Sequence, residues 1–314
     1  MKHYIGHQSA LEYWRRHHKL PESSADRRCR VALPGNPSKI EISSFAEFEI
    51  PVHIMIGDRC ARQSSRIVQQ HLCSSKTPIG CFMDIGDGLM VSSPEYCFHQ
   101  MAAQLTLAKL IELGYELCGV YSLPLENDPD VPARGFYNRP PLTSVKKLRC
   151  FHESLPSASG CKKAKRALRY ILDGSASPME TILAIFLTLP YMLGGFGFDL
   201  PDLNKRITLT KAVRREFNVD FLVCDMYWPN ERIAVEYDSD QQHTGSDRIA
   251  SDSKRRNVLF SSGIKVISVT KQQLYSSVEL ERVARTIAKQ MNKRLFSKKS
   301  KFYAMHRELK KQLL

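Results

Sequence analysis

The sequence predicts an α/β protein of two domains: a mixed sheet flanked by helices in the C-terminal half, preceded by an α+β domain. Three observations carry that expectation. The chain has 314 residues, and at about 100–200 residues per domain this is room for two cores. The second half reads helix, strand, strand, helix, strand, the order expected of a sheet covered by helices. Between the halves lie a Pro- and Gly-rich stretch and then a basic segment, which place the domain boundary at about 145–175. The division expected is an α+β domain over 1–150, a second domain over 160–276 and a basic helical tail over 277–314.

Composition narrows the class. Apolar residues make up 43% and charged residues 25%, ordinary globular values that exclude a wholly disordered chain, a collagen-like repeat and a coiled-coil rod. The net charge is +14. An excess of that size favours a polyanionic partner, nucleic acid before an anionic membrane surface. The N-terminal Met-Lys-His-Tyr-Ile-Gly-His lacks the apolar stretch of a signal peptide. The longest uncharged run, 181–198, contains Pro190, Gly194, Gly195 and Gly197 and reads as a buried helix that stops near Leu189, not a membrane span. The nine cysteines are scattered, with no Cys-x-x-Cys pair. Free thiols in a reducing cytoplasm are the expectation.

In the first half, Ser9 to His17 reads as an amphipathic helix, residues 51–57 as a strand ended by glycine, and 85–91 as a turn feeding a strand. Ser93-Pro94-Glu95 opens a helix to about Leu107, with serine as cap and proline at the first helical position. A further helix over 107–113 is expected to end at Gly114, and 122–143 to be a long surface crossing or linker. A basic helix follows over 162–172, carrying Lys162, Lys163, Lys165 and Arg166. In the second half the helices are expected over 178–189 and 246–261, and the strands over 219–223, 232–237 and 265–270.

The chemistry concentrates in Asn218-Val-Asp220-Phe-Leu-Val-Cys-Asp225 and Arg232-Ile-Ala-Val-Glu236-Tyr-Asp238. Side chains alternate along a strand, so Glu236 and Asp238 share one face while Ile233, Val235 and Tyr237 take the other. Two such carboxylates on an apolar strand raise each other's pKa unless a cation neutralises them. Asp220, opening the neighbouring strand, is expected to come beside Glu236 by hairpin pairing. Asp220, Glu236 and Asp238 would then present hard oxygen ligands suited to Mg²⁺ or Mn²⁺. Ser177-Pro-Met-Glu180 also fits a capping box, so Glu180 has a structural role open to it beside a metal-linked one.

The order Glu180 on a helix, Asp220, Glu236-x-Asp238, and His243 resembles the PD-(D/E)XK nuclease superfamily, in particular the branch related to the very-short-patch-repair endonuclease. Asp247-Arg248, Asp252, Arg255-Arg256, Leu259, Gly263 and Val266 to Thr270 are similar to the helix-then-strand ending of that branch, so the resemblance spans about 176–275. It implies a restriction-endonuclease-like fold and metal-dependent phosphodiester hydrolysis, with Asp220 and Glu236 as ligands. Asp238 stands where the superfamily carries a lysine, and His243 is the residue expected to assist the water in its place.

Gly86-Asp-Gly-Leu-Met-Val-Ser-Ser-Pro-Glu95 and the helix after it resemble the AbiEi-type antitoxin family of type IV toxin–antitoxin systems, which implies a partner or target-selection role for the first domain. The basic helix, Arg248, Arg255 and Arg256, and Lys293, Arg294, Lys298 and Lys299 in the tail are the expected phosphate contacts. From Glu281 onward eleven Lys or Arg stand against two Glu, which supplies +9 of the +14. Phe296, Phe302 and Tyr303 among them are candidates for base stacking. The functional expectation is a Mg²⁺-dependent DNA endonuclease acting in defence or repair. The alternative is a non-catalytic DNA-binding regulator on the same fold.

Overall fold

The computed structural model describes residues 2–17, 33, 45, 47–58, 65–73, 77–126, 128–155, 159–238, 246–295 and 300–314, with the side chains of 246–252 outside that description. The chain forms two compact units, Met1–Ile171 and Leu172–Leu314. Both are mixed α/β.

The first unit runs β1 (His3–Ile5), α1 (His7–Arg16), β2 (Val52–Ile56), β3 (Val68–Leu72), β4 (Phe82–Gly86), β5 (Leu89–Ser92), α2 (Pro94–Met101), α3 (Leu107–Cys118), β6 (Tyr121–Ser122), β7 (Tyr137–Asn138), α4 (Val145–Ser154) and α5 (Cys161–Ala167). Its five-stranded sheet has the order β3-β2-β1-β5-β4, with parallel and antiparallel neighbours. The β4–β5 turn is tight because Gly86, Asp87 and Gly88 all take positive φ, which glycine does at no steric cost. Trp14 of α1 is fully buried and donates its indole N–H to the carbonyl of Ser92 at 2.8 Å. Ser93 caps α2 with Pro94 at its start, as the sequence predicts.

Three expectations for this unit need correction. Gly114 does not end a helix. It lies inside α3 because Ile171 packs on it: a Cβ there would stand 2.2 Å from Ile171 Cδ1 and 3.2 Å from Phe98. Of the two readings of residues 122–143 the surface crossing holds, since most of them are exposed or half-buried, and the linker between domains does not. These residues lie within the first unit, pair β6 with β7, and bury Arg139, which donates to the carbonyls of Tyr121 and Glu116 at 2.9 and 2.8 Å. The basic helix is α5, shorter than predicted, and belongs to the first unit.

The Gly114 contact gives a stability prediction. Gly114→Ala gains about 1 kcal/mol of helix propensity. The forced displacement of Ile171 costs about 1–3 kcal/mol. Urea unfolding should show a net loss, reduced when Ile171→Val, which lacks Cδ1, is added.

The second unit runs α6 (Pro178–Thr188), β8 (Asp202–Thr208), α7 (Lys211–Phe217), β9 (Phe221–Trp228), β10 (Ile233–Asp238), α8 (Ser246–Ser261), β11 (Lys265–Thr270), α9 (Lys271–Tyr275), α10 (Ser277–Gln290) and α11 (Ser300–Leu313). Its sheet has the order β11-β10-β9-β8. β9 runs antiparallel to both neighbours, and α8 carries the chain over to β11, parallel to β10. Val258 and Leu259 of α8 pack with Leu222, Cys224, Ala234 and Ile264. α6 is buried from Thr181 to Thr188, the expected internal helix. Among the described residues no helix is long and apolar enough to cross a membrane.

α8 and β11 fall where the sequence places them. β8 and α7 were not anticipated. The strand expected at 219–223 instead runs on to Trp228. Nor do residues 277–314 form a separate basic tail: α10 and α11 belong to the second unit, with Leu280, Val283, Ile287, Phe302, His306 and Leu309 buried.

Candidate active site

The β9–β10 hairpin turns at 229–232 and pairs Ile233 with Trp228, Ala234 with Tyr227, and Val235 with Met226. The next step sets Glu236 against Asp225, and there the ladder stops. Asp225 Oδ2 accepts the backbone N–H of Tyr237 at 2.7 Å. Strand pairing therefore brings Asp225 to Glu236, which corrects the expectation for Asp220. Asp220 is exposed ahead of β9, five residues upstream and about 16 Å away along an extended chain.

Asp225 and Glu236 line one cavity of about 460 Å³, together with Asp238, Arg255, Arg256 and Ser268. Arg255 of α8 reaches across it. Its Nη2 donates to the carbonyl of Val223 at 2.6 Å and to Glu236 Oε1. Glu236 is about one-fifth exposed and Arg255 about one-third, so water screens the pair only in part. Asp238, at the end of β10, is exposed on the cavity rim. Cys224 is no nucleophile here: burial first, then the Glu236 carboxylate, push its thiol up to about 12, and a thiol held protonated is unreactive.

Glu180 serves the fold first. The Ser177 hydroxyl accepts the N–H of Glu180 at 3.2 Å, and Glu180 Oε2 accepts from Ala176 N at 3.1 Å and from the Asn204 amide at 2.8 Å. This is the anticipated cap, with the return bond shifted one residue upstream. Asn204 takes a left-handed φ of 46° within β8, a conformation asparagine tolerates better than most residues. Its amide also bonds the carbonyl of Gly174 at 3.1 Å. The same Glu180 carboxylate acts electrostatically on Asp225. Burial, then Glu180, then Glu236 raise the Asp225 carboxyl to about 7, with the Tyr237 N–H and Arg255 opposing.

A carboxyl so raised makes metal-free stability depend on pH. Between the ordinary value of 3.8 and about 7 the folded state keeps a proton that the unfolded state has released. Folding stability therefore falls as pH rises through that window, by on the order of 2–4 kcal/mol. Chemical denaturation from pH 4 to 8 in EDTA should show the fall, and Asp225→Asn should flatten it. An equal fall in the Asn variant would place the titration elsewhere.

The basic residues separate into groups. Lys162, Lys165 and Arg166 are exposed on α5, whereas the Lys163 ammonium is tied to the carbonyl of Leu105 at 2.6 Å. Arg256 is exposed beside the cavity and Arg255 lies within it. Lys293 pairs with Asp199, and Arg294 is exposed. His243, Lys298, Lys299 and Phe296 lie outside the described residues, as does the side chain of Arg248. Phe302 is no stacking platform: it is 3% exposed and packs against Phe196 and His306. Tyr303 is exposed.

Asp225 and Glu236 are the two carboxylates from adjacent strands that could hold a divalent cation in this cavity. Among the described residues no three His, Cys, Asp or Glu side chains are placed to hold one metal ion together, so the three-carboxylate centre expected from the sequence is not assembled. A pair of carboxylates is a different case. Mg²⁺ takes one or two protein carboxylates and completes its shell with water and phosphate, and the Asp225 carboxyl is raised chiefly by burial, then by Glu180. The sequence signal for Asp225 was present. It is an acid inside the apolar run Leu222 to Trp228, and counting back across the hairpin turn from Glu236 reaches it.

No protein-family model, curated protein or solved structure matches this chain.

Proposed function

We propose that the second unit is a Mg²⁺- or Mn²⁺-dependent endonuclease that hydrolyses DNA phosphodiester bonds on a restriction-endonuclease-like core, with Asp225 and Glu236 as the metal-holding pair. One observation carries the reading: two carboxylates from adjacent strands and two arginines from α8 line the same cavity. Carboxylates alone repel a phosphodiester, and arginines alone make only a phosphate-binding patch. Together they provide a cation seat next to an anion seat. When bound there, Mg²⁺ supplies a Lewis acid that polarises the phosphate and lowers the pKa of a water. Asp225 and Glu236 would hold the cation. Arg256 meets a phosphate at the cavity edge. Asp238, on the rim, would take a proton from the attacking water. The water oxygen bonds phosphorus, the bond to one ester oxygen breaks, and that oxygen leaves with a proton from solvent.

The net charge of +14 and the exposed Lys162, Lys165 and Arg166 on the first unit suit a DNA partner through phosphate contacts. The first unit then serves target selection or a protein partner. A second reading, a DNA-binding regulator without catalysis, draws on the Arg255–Glu236 ion pair, which already neutralises one prospective ligand. Supercoiled plasmid incubated with the protein, with and without Mg²⁺ or Mn²⁺, decides between them. Metal-dependent nicks or cuts support the enzyme, and plasmid that is retarded but intact supports the regulator.

A further inference from the structure

Arg255 is more than a counter-ion for Glu236. Its two hydrogen bonds, to the Glu236 carboxylate and to the carbonyl of Val223, both use Nη2. Nε and Nη1 have no partner among the described residues, and neither is among the buried polar atoms left unpaired. A guanidinium is a rigid planar fork, so fixing one nitrogen fixes the direction of the others. The side chain lines the cavity and is about one-third exposed. The open N–H groups are thus held, oriented and accessible, within the cavity that contains both carboxylates.

Resting on the endonuclease reading, we propose that Arg255 is a catalytic residue that donates through Nε and Nη1 to the non-bridging oxygens of the scissile phosphate. Those oxygens gain negative charge as water attacks and the ester bond breaks. A fixed, partly desolvated donor aimed there stabilises the transition state more than the ground state. The donor comes from α8, whose Leu259 is anchored in the core one turn further on. Glu236 then has two jobs, holding the metal and bracing Arg255.

The test compares the parent with Arg255→Gln and Arg255→Lys in three measurements: single-turnover plasmid cleavage, affinity of the metal-free protein for inorganic phosphate by calorimetry, and affinity for Mn²⁺. Arg255→Gln should slow cleavage by about 10²–10³-fold, the usual cost of one transition-state donor. It should also weaken phosphate binding by about tenfold or more. Arg255→Lys keeps the charge and the ion pair but loses the fork. It should fold like the parent, cut at an intermediate rate and bind phosphate with intermediate affinity. A residue that only braces Glu236 would give a different pattern, with Mn²⁺ affinity altered and phosphate affinity unchanged. That pattern, or cleavage by Arg255→Gln within about threefold of the parent, overturns the proposal. If the parent does not cut at all, the endonuclease reading fails. The phosphate arm then decides alone: a tenfold loss retains Arg255 as a phosphate contact, and equal affinity removes it.

Discussion

If Asp225 holds the metal of the proposed endonuclease, Asp225→Asn is expected to reduce metal-dependent plasmid cleavage by at least about 10³-fold, since a metal ligand supports several kcal/mol of transition-state stabilisation. Asp220→Asn is expected to cut like the parent. The contrast is sharp because both residues belong to the same short segment and both are acids. Strand pairing separates them: Asp225 meets Glu236 at the end of the hairpin ladder and lines the cavity, whereas Asp220 is exposed ahead of β9. Loss of Asp225 should not unfold the protein. An anion there is costly at neutral pH, so Asp225→Asn should be at least as stable as the parent above pH 7 without metal. Mn²⁺ titration should show weaker binding for Asp225→Asn and unchanged binding for Asp220→Asn. The reverse ranking, with Asp220→Asn inactive and Asp225→Asn active, would remove Asp225 from the metal site.

The reason Asp220 stood out in the sequence and Asp225 did not is instructive. Asp220 follows Asn218-Val219 at the point where a strand pattern begins, and a strand-opening acid is conspicuous. Asp225 lies mid-strand between Cys224 and Met226, where burial is costly and an acid reads as the end of the strand. The strand continues through it because Asp225 satisfies the Tyr237 N–H where the ladder stops, a bond no periodicity predicts. α8 was legible for the opposite reason. Residues 246–262 hold no proline or glycine, and Gly263, with φ of 66°, ends the helix locally. Its role in the site was only half legible. Arg255 and Arg256 are adjacent basic residues on one helix and both line the cavity, yet Arg255 is held there by Glu236 and Val223 while Arg256 is exposed. That distinction depends on which face of α8 meets the sheet. β8 is not legible in the sequence because Asp202 to Thr208 mixes Asn, Lys and Arg with only two aliphatic residues. It forms an edge strand, open on one side, where charged side chains are at home.

The C-terminal segment is where charge counting most misleads. Eleven basic residues from Glu281 onward suggest a tail that binds phosphate and does nothing for the fold. In α11, however, Phe302, His306, Leu309 and Leu313 are buried along one face, the spacing of an amphipathic helix. Phe302 packs against Phe196 with ring centroids 5.6 Å apart and stacks on His306 at 5.4 Å. His306 Nδ1 lies 2.7 Å from the carbonyl of Gly194. Gly194 itself has a φ of 90°, and a Cβ there would stand 2.5 Å from the carbonyl oxygen of Met305. The helix and the loop after α6 are therefore fitted to each other at backbone distance. Phe302→Ala should cost about 3–5 kcal/mol, the range for emptying a buried aromatic site. In a unit of this size that lowers the Tm by about 10 °C or more. A base-stacking Phe302 would behave otherwise: its loss would leave the Tm in place and weaken single-stranded DNA binding by about 1–3 kcal/mol. Tyr303, its exposed neighbour, is the internal control. Tyr303→Ala should leave the Tm within about 2 °C of the parent, as surface substitutions usually do. A Phe302→Ala protein with the Tm of the parent would return α11 to the status of a nucleic-acid-binding tail.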